Sequence, residues 1–459
     1  MPRMPERRNI TPPVQKRPDW RTYQTGLQRS EAARNRRKAL TRFGIILVAT
    51  AVAVAFMVLK PAPDDHLLEA HPGKKPPAET GLDRTKVQGL LSATPWVNLS
   101  EPSVERVAEG VTYQIETSLD QGLQQDLMAS LNPANARFIA IVALAPATGR
   151  ILAMVGHNRL EPGQNPCLQS GFPAASIFKI VTAAAAIEQC RFTVDAPTFY
   201  TGRKHTLYKS QLKEKKSRWS NQMTFRNAFA ESVNPVFGKI GFHCLGKKSL
   251  ESYGKAFGFN RRFAGELPLL PSRLAVSEKP FQWAEVACGF NRQTTLSPLH
   301  GALIAAALIN DGLMMAPQLV DRVRNEAGTL LYQGRPGQSG RVAKPETCRD
   351  VRRMMQAVVD SGTCRKQFRG YRKDRVLGGL TIGGKTGSIN NRSQDARFDW
   401  FVGYAQDKAK KTNLAVAVMV AHEKYIGTRA ARYARLAMRS FFERRMAQNT
   451  SRPSKDSPS

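Results

Sequence analysis

Ser176 and Lys179 stand three residues apart at the start of an alanine-rich apolar stretch. If that stretch is a helix, the i, i+3 spacing places the hydroxyl and the amine on the same face. A serine hydroxyl becomes a strong nucleophile when a base removes its proton, and a lysine can act as that base because burial lowers its pKa. The pair therefore indicates a covalent serine mechanism. By itself it is weak, because Ser-x-x-Lys recurs at Ser210 and Ser252 and a serine at a helix start is commonly only an N-cap.

Ser232, Val233 and Asn234 form a second motif, followed by Pro235 at a predicted helix or loop boundary. A second hydroxyl can relay a proton between the nucleophile, the lysine and a leaving amine, and a carboxamide can hold both the lysine and a substrate amide. Ser-x-Asn is mostly turn chemistry and recurs elsewhere in the chain. Its place downstream of the first motif is what makes it a candidate.

A third motif reads Lys-Thr-Gly-Ser after a short apolar stretch and two glycines (residues 380–384). Strand-like residues before it predict the end of an edge strand, where Gly387 lets a substrate backbone approach closely. Lys385 and the hydroxyls of Thr386 and Ser388 can then address a carboxylate. The alternative is a strand-end turn with a solvated lysine, but the order and the context of the three motifs favour one shared site.

Four stretches predict the elements that position these motifs. An alanine-rich helix is expected over Phe178–Gln189, which contains neither Gly nor Pro. Two apolar β-type runs within Arg137–Val155 are separated by Pro-Ala-Thr-Gly and predict a hairpin. Asn413–Val420 is a further strand candidate, and Thr428–Met446 predicts a basic amphipathic helix that closes the domain.

The N-terminal residues predict a membrane anchor. Residues 1–42 contain twelve Lys and Arg against three acidic residues, and residues 43–59 form an uncharged apolar run of seventeen residues. Such a run is just long enough to cross a bilayer core of ~30 Å as a helix, and the basic flank predicts a cytoplasmic N-terminus. A cleaved signal peptide is the alternative, because Ala51, Ala53 and Ala55 resemble small-residue cleavage sites. We expect an uncleaved single-pass anchor in the inner membrane, with the rest of the chain in the periplasm or at the cell exterior.

The composition of the chain limits the kinds of partner that it is expected to bind. The chain has 459 residues and a formal net charge of +33, with 69 Lys and Arg against 36 Asp and Glu. This charge indicates an anionic partner, and the predicted topology favours a lipid surface or lipid-linked phosphates over nucleic acid. No Cys-x-x-Cys, His-Glu-x-x-His or phosphate-loop motif occurs, so neither a metal nor a cofactor is expected. The outer compartment permits disulfides among the six cysteines, whose pairing the sequence leaves open.

With these motifs in this order, the chain from about residue 112 to 446 resembles the transpeptidase domain of penicillin-binding proteins, the serine acyltransferases that cross-link peptidoglycan. Longer segments make the resemblance more specific: Thr117–Asp120, Thr148–Val155, Leu296–His300, Asn310–Gly312 and Asp399–Tyr404. It implies an α+β, β-lactamase/transpeptidase-like fold in which a five-stranded antiparallel sheet has helices on both faces. The nucleophile helix would lie between the sheet and an all-helical part, and the domain would stand behind one N-terminal transmembrane helix.

The resemblance also implies roles for the motif residues. Ser176 would be the nucleophile, acylated also by β-lactams, and Lys179 its general base, while Ser232 and Asn234 would support proton transfer and substrate orientation. The backbone N–H groups of Ser176 and Ser388 would form the oxyanion hole. One departure is Phe172–Ala175, which stands where many members have Pro-Gly-Ser and would alter the shape beside the nucleophile. The terminal carboxylate of a D-alanyl-D-alanine stem would be bound by Lys385, Thr386, Gly387 and Ser388.

The segments on either side of the domain suggest how it is connected to the membrane and which partners it has. Residues 60–111 are rich in Pro and charge and predict a stalk or small pedestal, and residues 447–459 predict a disordered polar tail. Residues 60–111 are too few for a glycosyltransferase domain. A separate glycosyltransferase is therefore an expected partner, in addition to peptidoglycan stem peptides, β-lactams and the membrane.

The favoured function is a D,D-transpeptidase. A carboxypeptidase or β-lactamase would use the same residues with water as acceptor, and a non-enzymatic penicillin-recognising sensor or scaffold is a further alternative. Glu266 bears on the β-lactamase alternative, because class A β-lactamases carry Glu-x-x-Leu-Asn at this point of the chain. Leu269 matches that pattern, but Leu270 replaces the asparagine that would help to hold a hydrolytic water. We therefore expect a solvated Glu266, a loop that borders the acceptor channel, and a long-lived penicilloyl-enzyme.

Overall fold

The computed structural model describes residues 81–450, except residues 93, 215 and 392–395. The predicted basic tail and apolar run (residues 1–59), the first part of the predicted stalk and the polar end from residue 451 lie outside the described residues. Within the described ranges, no helix combines the length and the apolar composition that crossing a bilayer requires.

A five-stranded antiparallel sheet forms the centre of the fold, which confirms the α+β prediction. The strands, numbered in chain order, are β1 (Ser103–Ala108), β2 (Val111–Thr117), β3 (Ala136–Leu144), β4 (Ile151–Asn158), β5 (Phe172–Pro173), β6 (Pro197–Tyr200), β7 (Asn221–Thr224), β8 (Thr295–Leu296), β9 (Leu313–Met315), β10 (Val320–Asn325), β11 (Leu330–Gln333), β12 (Gln338–Arg341), β13 (Leu380–Asn391), β14 (Ala396–Asp407) and β15 (Asn413–His422). The central order is β13-β14-β15-β3-β4, and each neighbouring pair is antiparallel. The predicted hairpin is β3 and β4, and the predicted third strand is β15.

Helices cover both faces of this sheet. They are α1 (Arg84–Leu91), α2 (Gln121–Ala129), α3 (Lys179–Cys190), α4 (Phe225–Ala230), α5 (Asn234–Lys239), α6 (Gly246–Ala256), α7 (Pro280–Cys288), α8 (Pro298–Ile309), α9 (Pro345–Asp360) and α10 (Ala430–Thr450). Successive side chains of a strand point to opposite faces, and those of β15 are buried from its second residue onward, so neither face is open to solvent. Both α8 and α10 pack on β14 and β15.

Helix α3 packs against three other helices of the domain. It follows a 3₁₀ turn, Ala175–Phe178, that packs against β13, and it contacts α6, α7 and α9. Ala183–Ala186 are fully buried, because their small side chains let these neighbours come close. A disulfide joins Cys190, at the end of α3, to Cys244 in a π-helical turn (Ile240–Leu245).

Two segments next to the predicted domain boundaries contain regular secondary structure. The described part of the predicted stalk or small pedestal is folded, because α1 and the residues after it bury Val87, Leu91 and Trp96. Strand β1 pairs with β2 in a second, four-stranded sheet with β10 and β11. At the other end, α10 continues to Thr450, past the predicted end at Met446, so the predicted polar tail begins as helix.

Candidate active site

The nucleophile candidate sits at a sharp change of backbone direction. Ser176 lies in the 3₁₀ turn, where an α-helical start was expected, and Lys179 is the first residue of α3. Ala175 has a φ of 49°, in the left-handed region that few non-glycine residues adopt. Lys179 Nζ lies 2.9 Å from Ser176 Oγ, so the predicted i, i+3 pairing of amine and hydroxyl is present.

A glycine closes the space beneath this turn. Gly289 follows α7 with a φ of 68°. A Cβ atom at this position would lie 1.9 Å from the Ala175 carbonyl oxygen and 3.0 Å from the Ser176 nitrogen. The positive φ and the contact with the nucleophile backbone both require glycine here.

Lys179 is fully buried and held by three acceptors. Besides Ser176, its ammonium donates to Asn234 Oδ1 at 2.7 Å and to the Cys288 carbonyl oxygen. Burial lowers the pKa of Lys179 to about 8. A substantial fraction of the amine is therefore neutral near physiological pH, and a neutral amine directed at a hydroxyl can take its proton.

The second motif brings a second hydroxyl to the same cleft. Ser232 lies between α4 and α5 with a φ of 57°, and Lys385 Nζ donates to its Oγ at 3.0 Å. Lys385 is fully buried, and burial together with the nearby charge of Lys179 holds the pKa of Lys385 well below its ordinary value. Asn234 Nδ2 donates to the His205 carbonyl oxygen at 3.0 Å, which orients the carboxamide oxygen toward Lys179.

The third motif occupies the middle of β13, so the prediction that it ends a strand is wrong. The strand continues to Asn391 because β14 pairs with it along its whole length. It is the edge strand of the sheet, as expected. A Cβ atom at Gly387 would lie 3.3 Å from the Ser176 nitrogen, so the backbone of β13 passes directly beside the nucleophile. The hydroxyl of Thr386 forms a hydrogen bond with that of Thr363.

These motif residues line one cleft of about 470 Å³: Ser176, Ser232, Asn234, Thr386 and Ser388. The buried amines of Lys179 and Lys385 donate hydrogen bonds to three of these residues, Ser176, Asn234 and Ser232. Sequence reasoning did not assign His205, Phe290 or Thr363 to the site, although each lines the same cleft. They come from loops whose approach to Ser176 no local pattern reveals.

Asp399 is a further residue of the cleft to which sequence reasoning gave no role. It lies opposite Ser388 on β14, and Ser388 Oγ donates to its Oδ1 at 3.2 Å. Arg429 Nη1, at 3.1 Å, and the Ala430 amide, at 2.9 Å, donate to the same carboxylate. Burial alone would raise the pKa of Asp399, but His422, the Ala430 amide and Arg429 together hold it below its ordinary value. The sequence did not reveal this contact, because it depends on the register between β13 and β14.

Glu266 is not solvated, and that prediction is wrong. Its side chain is buried, and it accepts hydrogen bonds from the Leu319 amide at 3.1 Å and from Tyr332 Oη at 2.8 Å. It is absent from the described lining of the cleft. The carboxylate therefore stabilises the packing of its own loop against β10 and β11 rather than holding a water beside Ser176.

Comparison with known proteins agrees with this geometry. The family model "Penicillin binding protein transpeptidase domain" matches residues 139–439. The chain is 28% identical over 310 residues to penicillin-binding protein PbpB of Mycolicibacterium smegmatis, an alignment that covers 61% of the chain and 45% of that protein. It is 26% identical to the peptidoglycan D,D-transpeptidase PbpA of the same organism, with 61% of each covered, and 25% identical to stage V sporulation protein D of Bacillus subtilis, with 68% of the chain and 50% of that protein covered. The chain thus spans about half to three fifths of these relatives.

Solved structures show the same fold. The D,D-transpeptidase domain of a peptidoglycan glycosyltransferase from Eggerthella lenta superposes with a TM-score of 0.60 at 24% identity, covering 72% of this chain and 83% of that one. PBPA from Mycobacterium tuberculosis superposes with a TM-score of 0.57 at 22% identity, covering 71% and 81%. The family match spans well over half of the chain, in the part that holds all three motifs. The chain therefore belongs to the penicillin-binding protein transpeptidase domain family.

Proposed function

We propose that the protein is a peptidoglycan D,D-transpeptidase that works through an acyl-enzyme at Ser176. The observation that carries the proposal is the fully buried Lys179, whose Nζ lies 2.9 Å from Ser176 Oγ in an open cleft. A serine with an adjacent, partly neutral amine is an activated nucleophile. The name of one relative, the peptidoglycan D,D-transpeptidase PbpA, supports the same function.

In the first half-reaction, neutral Lys179 takes the proton of Ser176 as Oγ attacks the carbonyl carbon of the penultimate D-alanine. The N–H groups of Ser176 and Ser388 stabilise the oxyanion. The hydroxyls of Thr386 and Ser388, with Lys385 behind them, hold the terminal carboxylate. The C–N bond breaks, the leaving amine of D-alanine receives, through Ser232, the proton that Lys179 took from Ser176, and the acyl group stays on Ser176 as an ester.

In the second half-reaction, the amine of a neighbouring stem peptide attacks this ester. An amide bond forms, the ester C–O bond breaks, and the amine proton returns to Ser176 Oγ through Lys179. A carboxypeptidase would use water instead, and a class A-type β-lactamase would need a carboxylate beside that water. The burial of Glu266 in its own loop supports a long-lived acyl-enzyme and therefore transfer over rapid hydrolysis.

Labelling with a fluorescent penicillin, followed by mapping of the modified peptide, tests the proposal. We expect a single label on Ser176 that Ser176→Ala abolishes, while release of D-alanine from a stem peptide is lost in parallel. The variant should still fold, because the Ser176 side chain caps no helix and Lys179 keeps its bonds to Asn234 and to the Cys288 carbonyl oxygen. A label elsewhere, or labelling that survives the substitution, would contradict the assignment. Binding of penicillin without acylation would instead support a sensor or scaffold.

The proposal includes the location of the protein. We infer that residues 43–59 form a single-pass anchor and that residues 1–42 form a cytoplasmic tail. The catalytic domain would then lie on the outer side of the membrane, beside a separate glycosyltransferase. A periplasmic-type reporter fused after Ser459 should be active, and the purified full-length chain should need detergent. A mature protein that begins after residue 55 would replace the anchor by a cleaved signal peptide.

A further inference from the structure

A second groove opens beside the active-site cleft. It has a volume of about 770 Å³ and lies between the start of α10 and the loop that joins α9 to β13. Lys366 and Arg429 line both the groove and the cleft, so the two are continuous. Its charged lining, called here the basic groove, consists of Lys366, Asp374, Arg429, Arg432, Arg435 and Arg439.

The cations of the basic groove are only partly neutralised. Arg429 pairs with Asp399 at 3.1 Å, and Arg439 lies 3.8 Å from Asp374. Lys366 and Arg432 are exposed and have no carboxylate partner among the residues that the structure describes. Arg435 donates only to backbone carbonyl groups. Asp374 partly balances Arg435 and Arg439, whereas Lys366 and Arg432 face the groove without a carboxylate partner among the described residues, so the groove attracts anions.

Hydrogen bonds connect the two walls of the groove, α10 and the loop between α9 and β13. Arg435 Nη1, on α10, donates to the carbonyl oxygens of Gln367 and Arg369 at 3.0 Å each. In the same loop, Asp374 Oδ1 accepts from the amides of Val376 and Leu377 at 3.0 Å each. The loop thus has a fixed position against α10, so an anionic ligand meets a preformed site and loses less binding energy to ordering it.

The groove meets the cleft at the end where the leaving group departs. Thr386 and Ser388, which hold the terminal carboxylate in the proposed function, contact Thr363 and Asp399, and Asp399 in turn pairs with Arg429. In transpeptidation the incoming amine takes the position that the D-alanine amine has left. The acceptor chain must therefore enter from this side, and the basic groove is the path that begins there.

We propose that the basic groove binds the carboxylates of the acceptor stem peptide and so presents its amine to the acyl-enzyme. This inference rests on the proposed transpeptidase function. Charge-assisted hydrogen bonds from lysine and arginine to carboxylates are strong and directional enough to fix the register of a peptide. Binding outside the reacting centre lowers the entropic cost of bringing the amine to the ester.

The experiment uses the full-length chain in detergent, a thioester analogue of the donor, and two synthetic acceptor peptides. One acceptor has free carboxylates, and the other is identical except that its carboxylates are amidated. The measured quantity is the KM of each acceptor for aminolysis of the acyl-enzyme. Its dissociation constant for the penicilloyl-enzyme provides a second measurement. Two variants on α10 carry the same change in charge: Arg432→Glu inside the groove and Arg445→Glu outside it.

We expect Arg432→Glu to raise the KM of the free-carboxylate acceptor about tenfold, relative to the penicillin acylation rate of the same variant. The amidated acceptor should respond little, Arg445→Glu should match the wild-type protein, and added salt should weaken the preference of the wild-type protein for free carboxylates. An equal KM for both acceptors in the wild-type protein would overturn the inference. An equal rise of the KM of the free-carboxylate acceptor in Arg432→Glu and Arg445→Glu would also overturn it.

The failure of this inference differs from the failure of the proposed function. If penicillin labels Ser176 but the acceptor with free carboxylates and the amidated acceptor have the same KM, only the basic groove has been misassigned. If Ser176 is never acylated, the transpeptidase proposal itself fails. If Arg432→Glu instead loses binding to phosphatidylglycerol vesicles, with unchanged acceptor KM, the groove contacts the membrane and the acceptor assignment is wrong.

Discussion

The hydroxyl of Ser388 donates a hydrogen bond to the buried carboxylate of Asp399, 3.2 Å away on the neighbouring strand. The same carboxylate accepts from Arg429 and from the Ala430 amide. One negative charge therefore connects the proposed carboxylate-binding strand to the first turn of α10. It also pairs with Arg429 and gives the Ser388 hydroxyl a defined orientation.

Asp399→Asn should lower the second-order rate constant of penicillin acylation about tenfold. The amide keeps the volume but leaves Arg429 without its counter-ion and allows Ser388 to turn, so recognition weakens more than the chemical step. Stopped-flow acylation at several penicillin concentrations separates the two effects. Asp126→Asn is the control, because Asp126 also pairs with an arginine, Arg444 of α10, away from the cleft. Equal losses in both variants would contradict a role for Asp399 in the site.

The acylation rate should rise with pH through about 8. Lys179 must be neutral to accept the Ser176 proton, and burial lowers the pKa of its amine to about 8. Below that pH the protonated fraction grows and the rate falls; above it the rate reaches a plateau. Lys179→Ala should slow acylation at saturating penicillin by about 10²–10⁴-fold and remove this pH dependence. A normal rate in Lys179→Ala would refute its role as the base.

The same buried amine should make stability depend on pH. The folded pKa of Lys179 is about 8, below the ~10.4 of an unfolded lysine. Between these values the unfolded chain binds more protons, so the contribution of Lys179 to stability rises with pH and is lost as pH falls through 8. Relative to Lys179→Met, the unfolding free energy of the wild-type protein should gain about 2 kcal/mol between pH 8 and pH 10. Denaturant titrations of both proteins at pH 8 and pH 10 measure it; parallel values would exclude the shift.

Glu266 should matter for folding and not for deacylation. Glu266→Gln keeps a hydrogen-bonding side chain in its loop, so the lifetime of the penicilloyl-enzyme should hardly change. Glu266→Ala leaves the Leu319 amide and the Tyr332 hydroxyl without their acceptor and should lower the unfolding free energy by about 1–3 kcal/mol. Fast penicillin turnover that disappears in Glu266→Gln would instead indicate a hydrolase.

The sequence predicts the elements of this fold well where the hydrophobic pattern is long and unbroken. The alanine-rich helix, the hairpin and the strand that begins at Asn413 all appear, because each buries a continuous apolar surface. The prediction for Lys385 is less complete, because the apolar residues before it indicate a strand but do not show where that strand ends. Only pairing with β14 shows that β13 continues past Gly387 to Asn391.

The parts of the site that depend on distant contacts could not be read from local pattern. Asp399 faces Ser388 through a strand register, and Arg429 reaches Asp399 from the segment that precedes α10. Glu266 illustrates the opposite error. A carboxylate in a loop is expected in solvent, whereas Glu266 is buried and bonded to the Leu319 amide and to Tyr332 of β11. Burial of a charge depends on what the rest of the chain packs over it.

Gly289 has a consequence for drug resistance. No substitution there avoids a collision with the backbone of Ala175 and Ser176, and any larger residue would displace the very nitrogen that the reaction needs. In the proposed transpeptidase, a change here that blocked acylation by β-lactams would also block acylation by the substrate, so this position is closed to mutation under β-lactam selection. Adaptive changes are expected instead at side chains that line the cleft without supporting the turn, such as Phe290 and Thr363.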